Sequence, residues 1–569
     1  MARPFASGIA YAIGTVALLG GLAASNPAHA GWATYGNPAS LADSNQVLPK
    51  SIPDGSGGVF LVWEDRRSGN SDVYAQHLDA VGTRLWGANG VPVIVHTGGQ
   101  ESPVLVSDGG GGLIVAWQDS RDGGVYDIYA QALNAAGATR WAADGVAICT
   151  ASGAQILQVG VSDGLGGAIF AWRDSRGIDQ DVYAQRIDNA GTVLWATDGE
   201  AVCTASGTQT DMRILPDQLG GAFIVWRDRR AGLTSDIYAQ RVNGSGDPQW
   251  TPDGVPVTVA ANDQLSPQIV SDGRFGFIAT WHDNRTVLAD YNIYAQRIGP
   301  TGAPKWTVNG VLVTEAALQQ QFPLIATDEK AGAIVAWLDT RNGIGTDVFA
   351  QRVDSLGVRL WGPSDGLAVC ATDSTQAVTT VVSDGLGGAI FGWDDDRAGF
   401  REVFAQRVNG SGVVQWASLG LKIATGVGNR NLKSASPDGS GGCIFSWEDF
   451  RSTTSSDIYA FRVTSIGTGV EAPEAPAAAA RLYPARPNPF NPHTVLSFQL
   501  DRPGDVRLAL YDVRGRLVRE LVNGDRSAGR HEVAWDGTDA SGRGCASGVY
   551  FLQLRAEGVR RQTAVTLLR

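Results

Sequence analysis

The sequence predicts an all-β protein, made of an eight-bladed β-propeller followed by a small C-terminal β-sandwich. Three observations support this fold class. Sixteen of the 17 tryptophans recur at a fixed period, glycine-rich turns separate short apolar runs, and the period stops before a different C-terminal segment. With 73 glycines in 569 residues, the chain has the turn content that many short strands require.

Residues 1–30 have the composition of a secretory signal peptide. Arg3 precedes an apolar stretch of small residues from Ala6 to Ala24, and Ala28-His29-Ala30 fits an A-x-A cleavage site. We therefore expect an exported protein that is extracellular or bound to the cell surface. No later stretch is apolar enough to predict a second membrane span.

Two interleaved tryptophan series define the repeat, which spans residues 31–466. The step within either series is 54–56 residues. The two series are Trp32, Trp86, Trp141, Trp195, Trp250, Trp306, Trp361, Trp416 and Trp63, Trp117, Trp172, Trp226, Trp281, Trp337, Trp393, Trp447. A period of this size is typical of solenoids, propellers and arrays.

Each repeat predicts four antiparallel strands. In the second repeat, Ser102–Asp108 is a β-branched run, and Leu113–Trp117 is a continuous apolar run typical of a strand covered on both faces. Asp127–Leu133 alternates with a period of two, and Thr139–Cys149 supplies the fourth strand. Four such strands, repeated many times, favour a propeller over any helical repeat.

The phase of the repeat predicts how the ring closes. The Trp32 segment corresponds to an outer strand with no blade in front of it, whereas the last unit, Asn431–Val463, has only three strands. We expect the N-terminal segment to complete the last blade, because this leaves no strand edge open.

The order of motifs in each unit resembles the TolB-type, WD-like propeller repeats. The shared elements are P-x-x-V-S-D-G, an apolar strand, D-x-R and D-I-Y-A-Q. Complete Ser-Asp-Gly turns stand at Ser107–Gly109, Ser162–Gly164, Ser271–Gly273 and Ser383–Gly385. The resemblance implies a fold and a strand order, and it does not imply the partners of TolB.

The repeat ends before residues 467–480, a Pro/Ala-rich linker, and residues 481–569 form a new module. The expected strands are Thr494–Leu500, Val506–Asp512, Arg516–Leu521, His531–Trp535, Gly548–Arg555 and Gln562–Leu568. Pro487–Pro492, Trp535–Asp539 and Ser547–Phe551 resemble the Ig-like domain of the flagellar hook-capping protein (FlgD type). Related tails are type IX secretion sorting domains, so the resemblance implies export or attachment through the secretion or outer-membrane machinery.

Charge and cysteine content exclude further classes. The net charge of −12 repels phosphate backbones, so we expect no nucleic-acid partner. Three of the five cysteines, Cys149, Cys203 and Cys370, share one repeat position, which predicts small buried side chains rather than a disulfide framework.

The most prominent polar motif is Trp-x-Asp-x-Arg, which occurs in every unit. The Asp/Arg pairs are Asp65/Arg67, Asp119/Arg121, Asp174/Arg176, Asp228/Arg230, Asp283/Arg285, Asp339/Arg341, Asp395/Arg397 and Asp449/Arg451. A second acid follows in most units, so Ca²⁺ binding or acid/base chemistry is one interpretation. Eight equal copies favour the other interpretation, a turn-stabilising network in each blade, because catalysis needs one asymmetric site.

Departures from the repeat are scattered along the chain. They are Gln218, Arg274, Phe275, His282, Glu329, Lys330, Asp394, Asp395, Asp396, Phe450 and Phe461. They do not converge on a chemistry in the sequence, which therefore names no catalytic, cofactor-binding or metal-binding residue. We expect no cofactor, with structural Ca²⁺ left open.

The expected function is non-enzymatic binding or scaffolding, in which the propeller recognises an extracellular protein or polysaccharide. The alternative is an extracellular glycan hydrolase or lyase that uses the mouth of the propeller channel. Carboxylates, arginine or histidine clustered on one face of the folded ring would distinguish the enzyme from the scaffold.

Overall fold

The computed structural model describes residues 32–33, 36–287, 290–314, 316–424, 428–452, 455–467, 480–483, 485–500, 504–513, 516–527, 529–556 and 559–568. The expected signal peptide, residues 1–30, and positions 468–479 of the expected linker lie outside them. Every regular element in the described part is a β-strand, and no helix there is long and apolar enough to cross a membrane.

The first part of the chain forms eight four-stranded antiparallel sheets, numbered here as blades 1–8. The strands of blades 1–4 are β2 (Gln46–Pro53), β3 (Val59–Asp65), β4 (Asp72–Leu78), β5 (Val91–Ile94); β6 (Gln100–Ser107), β7 (Leu113–Asp119), β8 (Asp127–Leu133), β9 (Val146–Cys149); β10 (Gln155–Ser162), β11 (Ala168–Asp174), β12 (Asp181–Ile187), β13 (Glu200–Cys203); β14 (Gln209–Pro216), β15 (Ala222–Asp228), β16 (Asp236–Val242), β17 (Val255–Thr258).

The remaining four blades repeat the same order, apart from the last. Their strands are β18 (Gln264–Ser271), β19 (Phe277–Val287), β20 (Asp290–Ile298), β21 (Val311–Thr314); β22 (Gln320–Thr327), β23 (Ala333–Asp339), β24 (Asp347–Val353), β25 (Leu367–Cys370); β26 (Gln376–Ser383), β27 (Ala389–Asp395), β28 (Glu402–Val408), β29 (Leu421–Lys422); and β30 (Arg430–Pro437), β31 (Cys443–Asp449), β32 (Asp457–Val463) with β1 (Asn37–Ser40).

The N-terminal strand completes blade 8, as the sequence predicts. β1 pairs with β32, with Asn37 opposite Ala460. Trp32 is buried in the same apolar cluster as Trp447 and donates from Nε1 to the carbonyl of Ala80, 3.0 Å away in blade 1. Trp86 donates in the same way to the carbonyl of Ala135 in the next blade, also at 3.0 Å. The contact of Trp32 that closes the ring is therefore the same as the contact between two consecutive blades.

The first strand of each blade lies innermost and packs against the first strand of the next blade around the whole ring. β2 of blade 1 also contacts β30 of blade 8, where the hydroxyls of Ser51 and Ser434 lie 2.6 Å apart. The second strand carries the core. Val59–Asp65, for example, is buried along its full length, because neighbouring blades cover both of its faces.

The fourth strand differs from the sequence prediction. Instead of one strand over Thr139–Cys149, blade 2 has a single bridge at Thr139, a turn, and a short strand from Val146. The amide of Gln131 causes the break, because Oε1 accepts from Trp141 N (3.0 Å) and Nε2 donates to Ala142 O (2.7 Å). Gly145 completes the turn at φ +79°, a conformation that favours glycine.

The C-terminal part is a two-sheet sandwich. Its sheets are β33 (Ala480–Leu482), β34 (Thr494–Leu500), β37 (Gly529–Trp535) and β36 (Leu517–Arg526), β35 (Gly504–Tyr511), β38 (Gly548–Ala556), β39 (Val559–Leu567). Each of the six strands expected from the sequence overlaps one of these, and β33 was not expected. The buried core includes Phe498, Leu510, Trp535 and Leu552, and it draws only on this part of the chain.

Candidate functional site

The repeated Asp/Arg pairs bond to groups in or beside their own blade. In blade 1, Asp65 accepts from Trp63 Nε1 (2.9 Å) and from Arg67 Nε (2.8 Å), and the Arg67 guanidinium lies 3.9 Å from the centroid of the Tyr74 ring. Equivalent ion pairs join Asp and Arg in all eight blades. These networks stabilise each blade turn and converge on no shared site. Among the described residues, none of the five cysteines forms a disulfide bond.

The face of the ring where the innermost strands begin, called here the upper face, differs from blade to blade. On this face the residue between Trp and Asp of Trp-x-Asp lies near the end of the second strand, one residue before the Asp. We call these eight residues the mouth ring: Glu64, Gln118, Arg173, Arg227, His282, Leu338, Asp394 and Glu448. Because the repeat varies at this position, the ring brings together side chains that the sequence separates by some 55 residues.

One sector of the mouth ring is acidic. Blades 7, 8 and 1 contribute Asp394, Glu448 and Glu64, which are all buried. Blade 2 adds Glu101, whose Oε2 accepts from Tyr126 Oη at 2.9 Å. Burial, followed by the charge of Glu101, raises the pKa of Glu64. Four carboxyl groups therefore occupy adjacent blades at one edge of the mouth.

Asp394 and Glu448 contact the same three-residue segment of β30. Asp394 Oδ1 accepts from the N–H of Leu432 at 2.8 Å. Glu448 Oε2 accepts from Asn431 Nδ2 at 3.2 Å and lies 3.5 Å from Lys433 Nζ. Glu448 Oε1 also accepts from the N–H of Leu48, so this carboxylate joins blades 8 and 1.

Asp394 has the ionisation behaviour of a proton donor. Its side chain is only 6 % exposed, and burial raises its pKa to about 7. The N–H of Leu432 and the charges of Arg401 and Lys433 oppose this shift, whereas the charge of Asp396 adds to it. A carboxyl group with such a pKa carries its proton in much of the population at neutral pH.

The opposite sector of the mouth is basic. Blades 3 and 4 contribute Arg173 and Arg227, and Arg227 Nε lies 3.3 Å from Asp211 Oδ2. Burial and the charge of Arg227 lower the pKa of Arg173. Next to this sector, burial and the same arginine lower the pKa of His282 to about 4, so that imidazole is neutral at pH 7. Its Nδ1 accepts from the N–H of Phe322 at 3.1 Å.

Backbone geometry also distinguishes blades 7 and 8. In blades 1–6 the third residue of the innermost strand has φ between 51° and 55°: Leu48, Ser102, Leu157, Asp211, Ser266 and Phe322. Three of these side chains are exposed at the mouth. The corresponding residues of blades 7 and 8, Val378 and Leu432, pair regularly with the second strand and are buried.

A cavity of about 510 Å³ opens on the upper face between blades 7 and 8. Its lining includes Phe400, Arg401, Asn431 and Phe450. Asn431 also binds Glu448, and Arg401 is close enough to influence Asp394, so the cavity adjoins both carboxyl groups. Its lining combines two aromatic rings with polar and charged side chains, and the cavity opens broadly to solvent.

The residues that depart from the repeat pattern fall into three groups in the structure. His282, Asp394 and Asp396 lie at or beside the mouth, together with Phe450. Gln218, Arg274, Phe275, Glu329 and Lys330 lie in the turns of the opposite face, and Phe461 is in the core. Comparing residue x of Trp-x-Asp across the eight units would have found the acidic and basic sectors. Within the described residues, no three His, Cys, Asp or Glu side chains are grouped to hold a metal ion.

Comparison with known families identifies only the C-terminal module. Residues 488–558 match the FlgD Ig-like domain, in agreement with the two-sheet sandwich. No curated protein matches the sequence of the chain.

Solved structures with a similar arrangement of strands include several hydrolases. A mutant of puromycin hydrolase complexed with PGG is 13 % identical, covers 71 % of this chain and has a TM-score of 0.40, while this chain spans 58 % of its length. An α-L-arabinofuranosidase from Fusarium graminearum is 10 % identical, with coverages of 55 % of this chain and 93 % of its own and a TM-score of 0.32. One from Lactobacillus brevis is 10 % identical, with coverages of 48 % and 95 % and a TM-score of 0.27.

Against the expectation that the protein is not an enzyme, these solved structures are named as hydrolases, and that expectation is withdrawn. They concern the fold, and a shared fold does not transfer a reaction from one protein to another. Any reaction must therefore be argued from the side chains of the mouth.

Proposed function

We propose that this protein is an extracellular glycoside hydrolase whose active site is the acidic sector of the mouth ring. The observation that carries the proposal is the pair Asp394 and Glu448, two carboxyl groups on either side of Asn431–Lys433 in different electrostatic surroundings. Most glycoside hydrolases use two such groups, one as an acid and one as a base or nucleophile.

Asp394 is the proposed general acid. Its pKa of about 7 keeps the proton available at neutral pH, and the glycosidic oxygen takes that proton as its bond to the anomeric carbon breaks. Burial is the main cause of the shift, as in other enzymes whose acid sits in an apolar environment.

Glu448 is the proposed general base that acts together with Asp394. The ammonium of Lys433 and the amide of Asn431 hold its carboxylate, which accepts a proton from the water that attacks the anomeric carbon. The water adds a hydroxyl to the sugar, Glu448 then releases the proton it accepted to solvent, and Asp394 takes up a proton from solvent. The cavity between blades 7 and 8 is the proposed sugar site, where the rings of Phe400 and Phe450 offer apolar surfaces for sugar faces.

A reducing-end assay tests this proposal. The chain from Gly31 is incubated with neutral and acidic polysaccharides beside two variants, Asp394→Asn and Asp354→Asn. Asp354 lies in an exposed turn where other blades carry asparagine, as at Asn134 and Asn409, so the control makes the same change at a tolerant site. Cleavage lost only in Asp394→Asn supports the proposal, and cleavage by both variants at the wild-type rate contradicts it.

We further propose that the FlgD-type module delivers the enzyme to, or holds it on, the cell surface, as type IX sorting domains do. The signal-peptide composition of residues 1–30 and the separate core of the module support this role. Expression of a chain ending at Pro476 tests it, since the propeller should then fail to reach the cell surface or be released from it into the medium, whereas a full amount on the surface would contradict the role.

A further inference from the structure

Two cations of the channel wall, Lys50 and Arg213, lie in one row of the innermost strands. The fifth residues of the innermost strands form one row, because each pairs with the residue before the tryptophan of the second strand: Lys50 with Val62, Arg213 with Val225, Gln268 with Thr280 and Leu324 with Ala336. Gln268, Leu324, Thr380 and Ser434 of this row line a channel cavity of about 260 Å³. Lys50 and Arg213 occupy the same row in blades 1 and 4.

Lys50 is exposed to solvent although it lies on the wall of the channel. The blades surround it, although it stays open to the channel, and burial lowers the pKa of its ammonium. The charge of Glu64 raises the pKa of Lys50 and so partly offsets the effect of burial, whereas the charge of Arg213 lowers it further. The two positive charges therefore repel each other across the channel. Among the described residues, no side chain forms an ion pair or hydrogen bond with Lys50.

Arg213 is only partly satisfied. Its Nε donates to Gln268 Oε1 at 3.0 Å, and Nη1 donates to its own neighbour, Met212 O, at 2.7 Å. No hydrogen bond from Nη2 is found in the described part of the chain. Neutral groups take these donors, and the charge of Asp211, which also lies 3.3 Å from Arg227, offsets only part of the burial that lowers the pKa of Arg213.

The basic sector extends this field to the mouth. Arg173 and Arg227 lie above the channel with Asp211 as their nearby acid, and the Nε atoms of both arginines are buried without a hydrogen bond within the described residues. The single carboxylate of Asp211 thus acts on Arg213 and Arg173 and contacts Arg227, while Lys50 feels the charge of Glu64 without forming an ion pair with it among the described residues. An anionic ligand would add negative charge where these cations outnumber the acids.

We propose that the channel binds the anionic group of an acidic saccharide, with Lys50 and Arg213 as its ligands. The inference rests on the proposed hydrolase function and names its substrate class. The acidic sector cleaves the glycosidic bond while the basic channel holds a carboxylate or sulfate ester of the same chain. The channel cavity of about 260 Å³ is lined by blades 5–8 and lies along the same row of residues as these two cations.

Calorimetric binding tests the proposal on the full chain carrying Asp394→Asn, which separates binding from cleavage. The probes are oligogalacturonate, its neutral methyl ester and a sulfated chondroitin tetrasaccharide. We expect at least ten-fold tighter binding of one acidic probe than of the methyl ester, and the better acidic probe identifies carboxylate or sulfate as the group. Equal binding of acidic and neutral probes, or no binding of either acidic probe, overturns the proposal.

Variants locate the site. Lys50→Met and Arg213→Gln should each weaken acidic binding at least ten-fold, and Arg213→Gln copies the residue that blade 5 already carries. Lys330→Met removes the same charge from an exposed turn on the opposite face and should leave binding unchanged. Thermal melting confirms that each variant is folded. We expect Lys50→Met to raise the melting temperature. Unchanged acidic binding in both channel variants contradicts the site, whereas tight acidic binding without cleavage by wild-type protein contradicts only the hydrolase.

Discussion

Asp394, at the end of the second strand of blade 7, accepts a 2.8 Å hydrogen bond from the N–H of Leu432 in blade 8. Glu448 makes the same kind of contact with Leu48 of blade 1, and Glu64 with Ser102 of blade 2. These carboxyl groups join neighbouring blades and also face the mouth. Their position explains how a repeated scaffold concentrates acids at one edge.

The first prediction concerns the pH dependence of activity. If Asp394 is the acid, the rate should fall as pH rises through about 7, because the proton is lost there. The measurement is kcat/KM between pH 5 and 9. A rate that stays constant from pH 6 to 9 would exclude Asp394 from this role.

The second prediction concerns stability. Burial raises the pKa of Asp394 to about 7 and those of Asp127, Asp236 and Asp457 to about 6. A raised pKa means that the folded protein binds the proton more tightly, so stability is greatest below about pH 4 for these groups and is lost as pH rises to 6–7. We expect a lower melting temperature at pH 8 than at pH 5.

The same melts in Asp394→Asn isolate one group. Because asparagine does not ionise, the fall in stability between pH 5 and 8 should shrink by about 1–4 kcal/mol, given ~1.4 kcal/mol for each unit of pKa shift. An undiminished fall would show that Asp394 does not titrate in this range.

The third prediction concerns the blade networks. Hydrogen bonds from Arg121 and Trp117 hold the pKa of the buried Asp119 below its usual value, against the effect of burial. Asp119→Asn should therefore lower the free energy of unfolding by about 2–5 kcal/mol, since a buried guanidinium loses its partner. Denaturant melts measure this loss. Saccharide binding should not change, and a stable Asp119→Asn protein without activity would instead make Asp119 a functional residue.

The fourth prediction concerns closure of the ring. Deleting residues 31–41 removes β1 and Trp32, which exposes the edge of β32 and opens the core around Trp447. We expect aggregation or a large fall in melting temperature compared with a chain that begins at Gly31. A monomer with unchanged melting would show that β1 is dispensable.

Much of the fold could be predicted from the sequence because each blade is specified locally. The tryptophan period, the Asp-Gly turns and the missing strand of the last unit determine eight blades and their closure. The break before Val146 could not be predicted, since it depends on hydrogen bonds from Gln131 to a segment ten residues away.

The site was harder to predict than the fold. Asp394 and Glu448 each follow a tryptophan in an apolar strand, where a single acid looks like ordinary variation. Their proximity depends on the ring, and the pKa of Asp394 depends on burial between blades. Lys50 and Arg213 are more than 160 residues apart, so only the closed ring brings them to one channel.

The most direct test compares two substrates in Asp394→Asn. A natural glycosidic bond needs protonation as it breaks, whereas a dinitrophenyl glycoside of the same sugar has a leaving group that departs without help. We predict a loss of kcat/KM of at least about 100-fold on the polysaccharide, within the ~10²–10⁴-fold contribution of general acids, and a loss of only a few-fold on the dinitrophenyl glycoside. Equal losses on both substrates, or no loss on the polysaccharide, would contradict Asp394 as the acid of this site.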